Sequence, residues 1–139
     1  MTEYESNARA FLEKANTTIR FIKVCTVNGF PNDPRDKMKH NKYKVVLTRN
    51  DKTYDFDFYG SYRDYLESRR PSVYDFLACA EKYEYPTDPW EFAREFGYDI
   101  ECEEDYNRVR RIADECKEQY TKLLDLFGEE LMEELCEIN

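Results

Sequence analysis

One imidazole limits the chemistry this chain can assemble. His40 is the only histidine in 139 residues. A two-histidine metal site or an HExxH helix is therefore excluded, and any Ser-His-Asp arrangement would have to use this one ring. The five cysteines, Cys25, Cys79, Cys102, Cys116 and Cys136, are odd in number and include no C-x-x-C pair. That spacing fits neither a zinc site nor a dithiol redox site. Four of them fall in predicted helices or a strand and read as small hydrophobes packing inward. Only four glycines are present, with no GxxxxGK[ST] or GxGxxG, so a glycine-rich phosphate cradle is disfavoured. The acidic spacing does not match an EF-hand loop. Asp55 and Asp57 could in principle act as acid and base, but on a strand's polar face pairing with Lys44 is the simpler use. The expectation is a non-enzyme with no catalytic residues, no metal site and no cofactor.

Charge is the more informative chemistry. The chain carries 21 Lys and Arg against 30 Asp and Glu, net -9. Residues 1–70 hold 14 basic and 10 acidic residues, whereas residues 71–139 hold 7 and 20. An acidic half of this size repels nucleic acid and attracts basic protein surfaces. The basic stretch Arg35, Lys37, Lys39, Lys42, Lys44, Arg49 and Lys52, beside His40 and Tyr43, is the one nucleic-acid footprint, and the acidic remainder disfavours its approach to phosphates. The alternative is a solvated loop docked on the protein's own acidic helices.

The acids concentrate late in the chain. Glu104, Asp114, Glu115, Glu118, Glu129, Glu130, Glu133 and Glu134 are the predicted partner-binding residues, with Trp90, Tyr98 and Tyr106 as anchoring aromatics at their edge. A rigid array of carboxylates with tyrosines between them can imitate a phosphate backbone and occupy a cationic channel. Such a surface needs no catalytic group.

Several elements must position these residues. Tyr4, Ala8, Phe11, Leu12 and Ala15 recur at helical steps, which predicts a helix over 4–15. TTIRFIKVCTV (17–27) is β-branched and apolar on both faces, with Lys23 sharing the face of Ile19, Phe21, Cys25 and Val27. It reads as a central strand. Residues 28–41, with two prolines and three asparagines, read as a long exposed loop. KYKVVLT (42–48) and TYDFDFY (53–59) flank Asn50-Asp51. That turn places Leu47 opposite Tyr54, Val45 opposite Phe56 and Tyr43 opposite Phe58 on one face, with Lys44 opposite Asp57 and Val46 opposite Asp55 on the other.

Helices follow. One or two turns are expected over 62–68. A helix capped by Ser72 and Asp75 should carry Val73, Phe76, Leu77, Ala80 and Tyr83 inward and end at Pro86. Asp88-Pro89-Trp90-Glu91 starts another, with Trp90, Ala93 and Phe96 inward and Gly97 as its stop. Over 102–127, Tyr106, Val109, Ala113, Cys116, Tyr120, Leu123 and Phe127 form an apolar seam widened by Ile112 and Leu124. Gly128 interrupts it before a last helix with Leu131, Leu135 and Ile138 inward. The seam is read as packing on the chain's own sheet, so a monomer is favoured over a dimer. The expected fold is α+β: a three-stranded antiparallel sheet with helices packed on one face, forming a single domain over 1–139. Its sheet-forming part is about 1–60 and its helical acidic part about 61–139. No stretch is apolar enough to span a membrane and the N-terminus lacks a secretory pattern.

KYKVVLTRNDKTYDFDFYGS, RPSVYDFLACAEKYEYPTDPWEFAREFGYD and LFGEELMEEL together resemble small acidic accessory proteins of phages and integrated mobile elements. The resemblance covers roughly 42–135, and Pro71-Ser72-Val73-Tyr74-Asp75 and Glu95-Phe96-Gly97-Tyr98-Asp99 carry most of it. The chain departs from that pattern at Pro86-Thr87-Asp88-Pro89 and in its basic 35–52 segment. The resemblance implies a protein acting in the cytoplasm of a bacterial host. There it would inhibit a host defence ribonucleoprotein, in the manner of an anti-CRISPR, or serve as a mobile-element adaptor or assembly module with no inhibitory role.

Overall fold

The computed structural model describes residues 2–31, 33, 35–80 and 88–138. Its elements are helix α1 (Glu3–Lys14), strands β1 (Thr17–Asn28), β2 (Lys39–Arg49) and β3 (Lys52–Tyr59), and helices α2 (Tyr62–Leu66), α3 (Val73–Ala80), α4 (Pro89–Phe96) and α5 (Glu103–Cys136). The arrangement is α+β, with a three-stranded antiparallel sheet in the order β1-β2-β3.

The hairpin has the register its side chains demand. Tyr43 pairs with Phe58, Val45 with Phe56 and Leu47 with Tyr54, while Lys44 lies opposite Asp57 and Val46 opposite Asp55. Asn50 takes φ 55° in the turn, a left-handed conformation that asparagine tolerates. Tyr43, Val45, Leu47 and Phe56 are buried, and Asp55 and Asp57 on the other side are exposed.

β2, not β1, is the central strand. Residues 17–27 are rich enough in apolar groups for two buried faces, yet β1 lies at the sheet edge. Ile22 is 41% and Val24 54% exposed. The register slips between Lys23 and Cys25, a bulge of the kind that blunts strand edges. β2 also begins earlier than expected. His40 and Asn41, assigned by composition to a loop, are buried strand residues.

One side of the sheet holds the main core. Ala8, Phe11 and Leu12 of α1, Val73, Phe76 and Leu77 of α3, and Leu123, Leu126, Phe127, Met132 and Leu135 of α5 gather with Tyr43, Val45, Leu47 and Phe56. Phe76 sits at its centre, within ring contact of Phe21, Phe56 and Phe58. The Ala80 side chain, Tyr83 and Pro86 lie outside the described residues. A polar clamp joins α1 to α3. The Glu5 carboxylate accepts the N–H of Val73 (3.1 Å) and of Tyr74 (3.3 Å), while Ser72 and Asp75 cap each other's N–H. Three of the donors that α3 cannot satisfy internally are thereby paired.

A second, smaller cluster packs Phe92 and Ala93 of α4 on Val109, Ile112 and Ala113 of α5, with Phe96, Tyr98 and Cys116 partly buried around it. Trp90 does not belong to it and is 54% exposed. α4 turns Pro89, Phe92, Ala93 and Phe96 inward, and Trp90 falls about 100° round the helix from that stripe. The cysteines also differ from expectation. Cys25, Cys79, Cys102 and Cys136 are exposed and Cys116 is half-buried. Cys25 lies past the bulge, on the poorly covered edge strand.

Phe76→Ala should destabilise the protein by about 3–5 kcal/mol, the cost of emptying a buried aromatic site. Trp90→Ala should change stability by no more than about 0.5 kcal/mol. Urea midpoints of the two variants check this pair, and a larger loss for Trp90→Ala would contradict the core assignment.

Candidate functional site

α5 carries the candidate acidic surface, and its orientation is set by the core. Val109, Ile112, Ala113, Leu123, Leu126 and Phe127 turn inward, so Glu104, Asp114, Glu115 and Glu118 turn outward and are exposed. Arg108, Arg110, Arg111, Lys117 and Lys122 are interleaved with these acids. Arg108 pairs with Asp105 at 3.2 Å and Lys122 with Glu118 at 4.0 Å. Between β3 and α5, Arg111, Glu115, Glu118 and Lys122 line a groove of about 490 Å³ with Lys44, Asp55 and Asp57. This half of α5 is therefore close to charge-balanced.

Gly128 divides the helix. With φ 81° and ψ 170° it breaks the helical path, a conformation open to a residue without Cβ. Beyond it Met132 and Leu135 return to the main core, and Glu129, Glu130 and Glu133 are exposed. No ion-pair partner for these three lies among the described residues. Glu134 differs: it is half-buried and accepts from Lys14 Nζ of α1 at 2.6 Å. It fastens the end of α5 internally and does not belong to the outward acidic surface. Of the eight acids, Glu104, Asp114, Glu115 and Glu118 lie among the cations of α5, Glu129, Glu130 and Glu133 do not, and Glu134 is paired with Lys14.

The basic segment is largely spent inside the molecule. Lys52 Nζ donates to the Asp125 carbonyl at 3.1 Å. Arg49 donates to the carbonyls of Ala15 (2.9 Å) and Leu126 (3.0 Å), tying the hairpin turn to both α1 and α5. Lys44 reaches diagonally to Asp55 at 3.6 Å, and Asp57 faces Lys42 at 4.0 Å. Arg35 approaches Asp99 at 3.9 Å. Asp125 is a hub: it accepts from the Tyr54 hydroxyl and pairs with Lys52. The Tyr54 bond, then Lys52, holds its carboxyl below the usual range, and the same bond raises the Tyr54 hydroxyl.

His40 is a fastening for the connection between β1 and β2. Its ring is 2% exposed and stacks on Phe30 at 3.7 Å. Nδ1 faces the Gly60 carbonyl at 2.9 Å and Nε2 faces the Asp36 carboxylate at 2.6 Å. Both partners are acceptors, so both bonds form together only when the ring carries two protons. With both nitrogens occupied, no ring lone pair faces a substrate or a metal. Asp36 also accepts the Met38 and Phe30 N–H groups. These two bonds, led by Met38, and His40 lower its carboxyl below the ordinary value. Phe30, Asp36 and Met38 are thereby tied to His40 at the start of β2, while most of the described residues between Phe30 and Met38 are exposed, as the composition predicts.

Of the predicted anchoring aromatics, Tyr98 and Tyr106 are half-buried. Exposed Trp90 lies 6.2 Å from the Tyr106 ring. Its exposure was not legible from the sequence, which offered Trp90, Ala93 and Phe96 as equally good inward positions. Among the described residues there is no group of three or more His, Cys, Asp or Glu able to hold a metal ion. No described helix is long and apolar enough to cross a membrane. Comparison with family models, with curated proteins and with solved structures finds no match to this chain.

Asp36, Asp105 and Asp125 all titrate below the ordinary aspartate value in the fold. For Asp105 the Glu101 N–H is the leading cause. A depressed carboxyl contributes stability above its unfolded-state pKa and loses it as pH falls through the folded-state value. The melting temperature should therefore hold from neutral pH to about pH 5 and fall below about pH 4. Asp125→Asn should flatten part of that acid limb, and an unchanged limb would contradict the assignment of Asp125 as a hub.

Proposed function

We propose that this protein is a non-enzymatic inhibitor that acts in the cytoplasm of a bacterial host. It docks the acidic end of α5 on the basic nucleic-acid-binding surface of a host defence ribonucleoprotein, in the manner of an anti-CRISPR. The observation that carries this reading is the contrast at Gly128. Before it, Arg108, Arg110, Arg111, Lys117 and Lys122 are interleaved with the acids, of which Asp105, Glu118 and Asp125 are paired. After it, Glu129, Glu130 and Glu133 are exposed with no cation at ion-pair distance among the described residues.

Geometry favours mimicry of a charged strand. Glu129 to Glu133 rises about 6 Å along the helix, and Glu137 lies about 6 Å further. Phosphates of a duplex strand advance about 3.4 Å each along its axis, so these carboxylates repeat at roughly twice that advance. A helix anchored by Met132, Leu135 and the Lys14–Glu134 pair presents them without further ordering, which lowers the entropic cost of docking. Exposed Trp90, against Tyr106 near the start of α5, lies far along the helix from Glu129 and is not part of this surface. The phage or mobile-element setting rests on the sequence resemblance.

Replacing Glu129, Glu130 and Glu133 together by Lys should leave the melting curve nearly unchanged, because all three are exposed. Purified CRISPR effector ribonucleoproteins, assayed for target-DNA binding by gel shift, provide the functional readout. The wild-type chain should block target binding by its cognate effector and the triple variant should not. Full inhibition by the triple variant would defeat the reading.

A further inference from the structure

We propose that a cleft at the opposite, basic end of the molecule binds a phosphate group. It lies on the core side of the sheet, beyond the reach of α1 and α3, where α2 and the chain after it form the far wall. The cleft is about 410 Å³ and is lined by Lys23, Asn41, Tyr43, Tyr65, Leu66 and Ser68, together with Arg69 and Arg70. In a chain of net charge -9, no carboxylate lines it.

The donors come from β1, from β2 and from the segment 68–70. Lys23 stands opposite Tyr43 on the inward face of β1, a position where the pleat calls for an apolar residue. It is exposed because helical cover ends before it. Arg70 is exposed too, and its guanidinium rests over the Phe21 ring at 5.6 Å. Neither Lys23 nor Arg70 has an ion-pair partner among the described residues. Arg69 is already committed to Asp64 (2.6 Å) and Glu67 (2.8 Å), and those two nearby acids are committed to it.

Asn41 adds an uncommitted donor to the wall of the cleft. It is 7% exposed, and its Oδ1 accepts from the Thr26 hydroxyl at 2.7 Å. Its Nδ2 donor has no acceptor among the described residues, and Asn41 forms part of the cleft wall. That donor can pair with an oxyanion in the cleft. Lys23, Arg70, Asn41 and Ser68 all line the cleft and offer an ammonium, a guanidinium, an amide and a hydroxyl to its occupant. That suits a tetrahedral phosphate, with three or more acceptor oxygens, better than a two-oxygen carboxylate. This inference does not depend on the acidic end of α5, and either can fail alone.

The test is a titration of the isotope-labelled protein with inorganic phosphate at fixed ionic strength, followed by amide NMR, with acetate as control. Phosphate should shift the Asn41 side-chain amide and the Ser68 and Arg70 backbone amides saturably, in the millimolar range expected for a single group. Acetate should not. Lys23→Gln with Arg70→Gln should abolish the shifts while the remaining spectrum shows an intact fold. Lys37→Gln with Lys39→Gln, equal in charge change and away from the cleft, should leave them in place. Thymidine monophosphate and a short thymidine oligonucleotide then separate the sources. Tighter binding of the oligonucleotide at these residues assigns a strand phosphate, and equal binding assigns a small phosphomonoester. Shifts that do not saturate, that are matched by acetate, or that survive Lys23→Gln with Arg70→Gln would overturn the proposal.

Discussion

The structure depends on covering one side of a three-stranded sheet. β2 supplies Tyr43, Val45 and Leu47 and β3 supplies Phe56 to a single face, and that face cannot remain in water. α1 and α3 cover part of it. The end of α5 completes the cover with Leu123, Leu126, Phe127, Met132 and Leu135. Burial of this stripe fixes the rotation of α5 about its axis and therefore decides which carboxylates face solvent. Gly128 belongs to the same constraint: the helix changes direction there so that Met132 and Leu135 meet the core again. Arg49, bonded to carbonyls of Ala15 and Leu126, holds the hairpin turn between α1 and α5.

Charge is sorted by that arrangement. Cations of the hairpin and of the middle of α5 meet acids of the same fold, as in Lys52–Asp125, Lys44–Asp55 and Lys122–Glu118. Exposed pairs of this kind add little to stability. Their consequence is electrostatic, because they neutralise the centre of the molecule. Away from these pairs lie an acidic end beyond Gly128 and a basic cleft around Lys23 and Arg70. The sequence showed the same polarity as a positive first half and a strongly negative second half. It could not show that most of the basic 35–52 segment is used internally.

Legibility followed the range of the interaction. The hairpin register, the Ser72–Asp75 cap and the stops at Gly97 and Gly128 were readable because each rests on neighbours in the chain. Strand order was not. β1 carries apolar residues on both faces, and only the extent of helical cover leaves Ile22 and Val24 in water. His40 and Asn41 were hidden behind a loop-like composition, because Asp36 organises that segment through bonds to Phe30, Met38 and His40 that no local pattern announces. Trp90 illustrates the same limit: one residue of phase on a short helix separates core from surface. For the acidic surface, residue types and exposure were legible at Glu129, Glu130 and Glu133. The commitment of Glu134 to Lys14, 120 positions away in sequence, was not.

The central claim is that the acidic end of α5 docks through charge. The association rate constant of the protein with the effector it is proposed to inhibit, measured by stopped flow as salt is raised, tests it most directly. Screening shortens the reach of the field from about 10 Å at 0.1 M salt to about 3 Å at 1 M. Across that range the account predicts association slowing by at least about tenfold, with dissociation changing far less. An association rate indifferent to salt would contradict it.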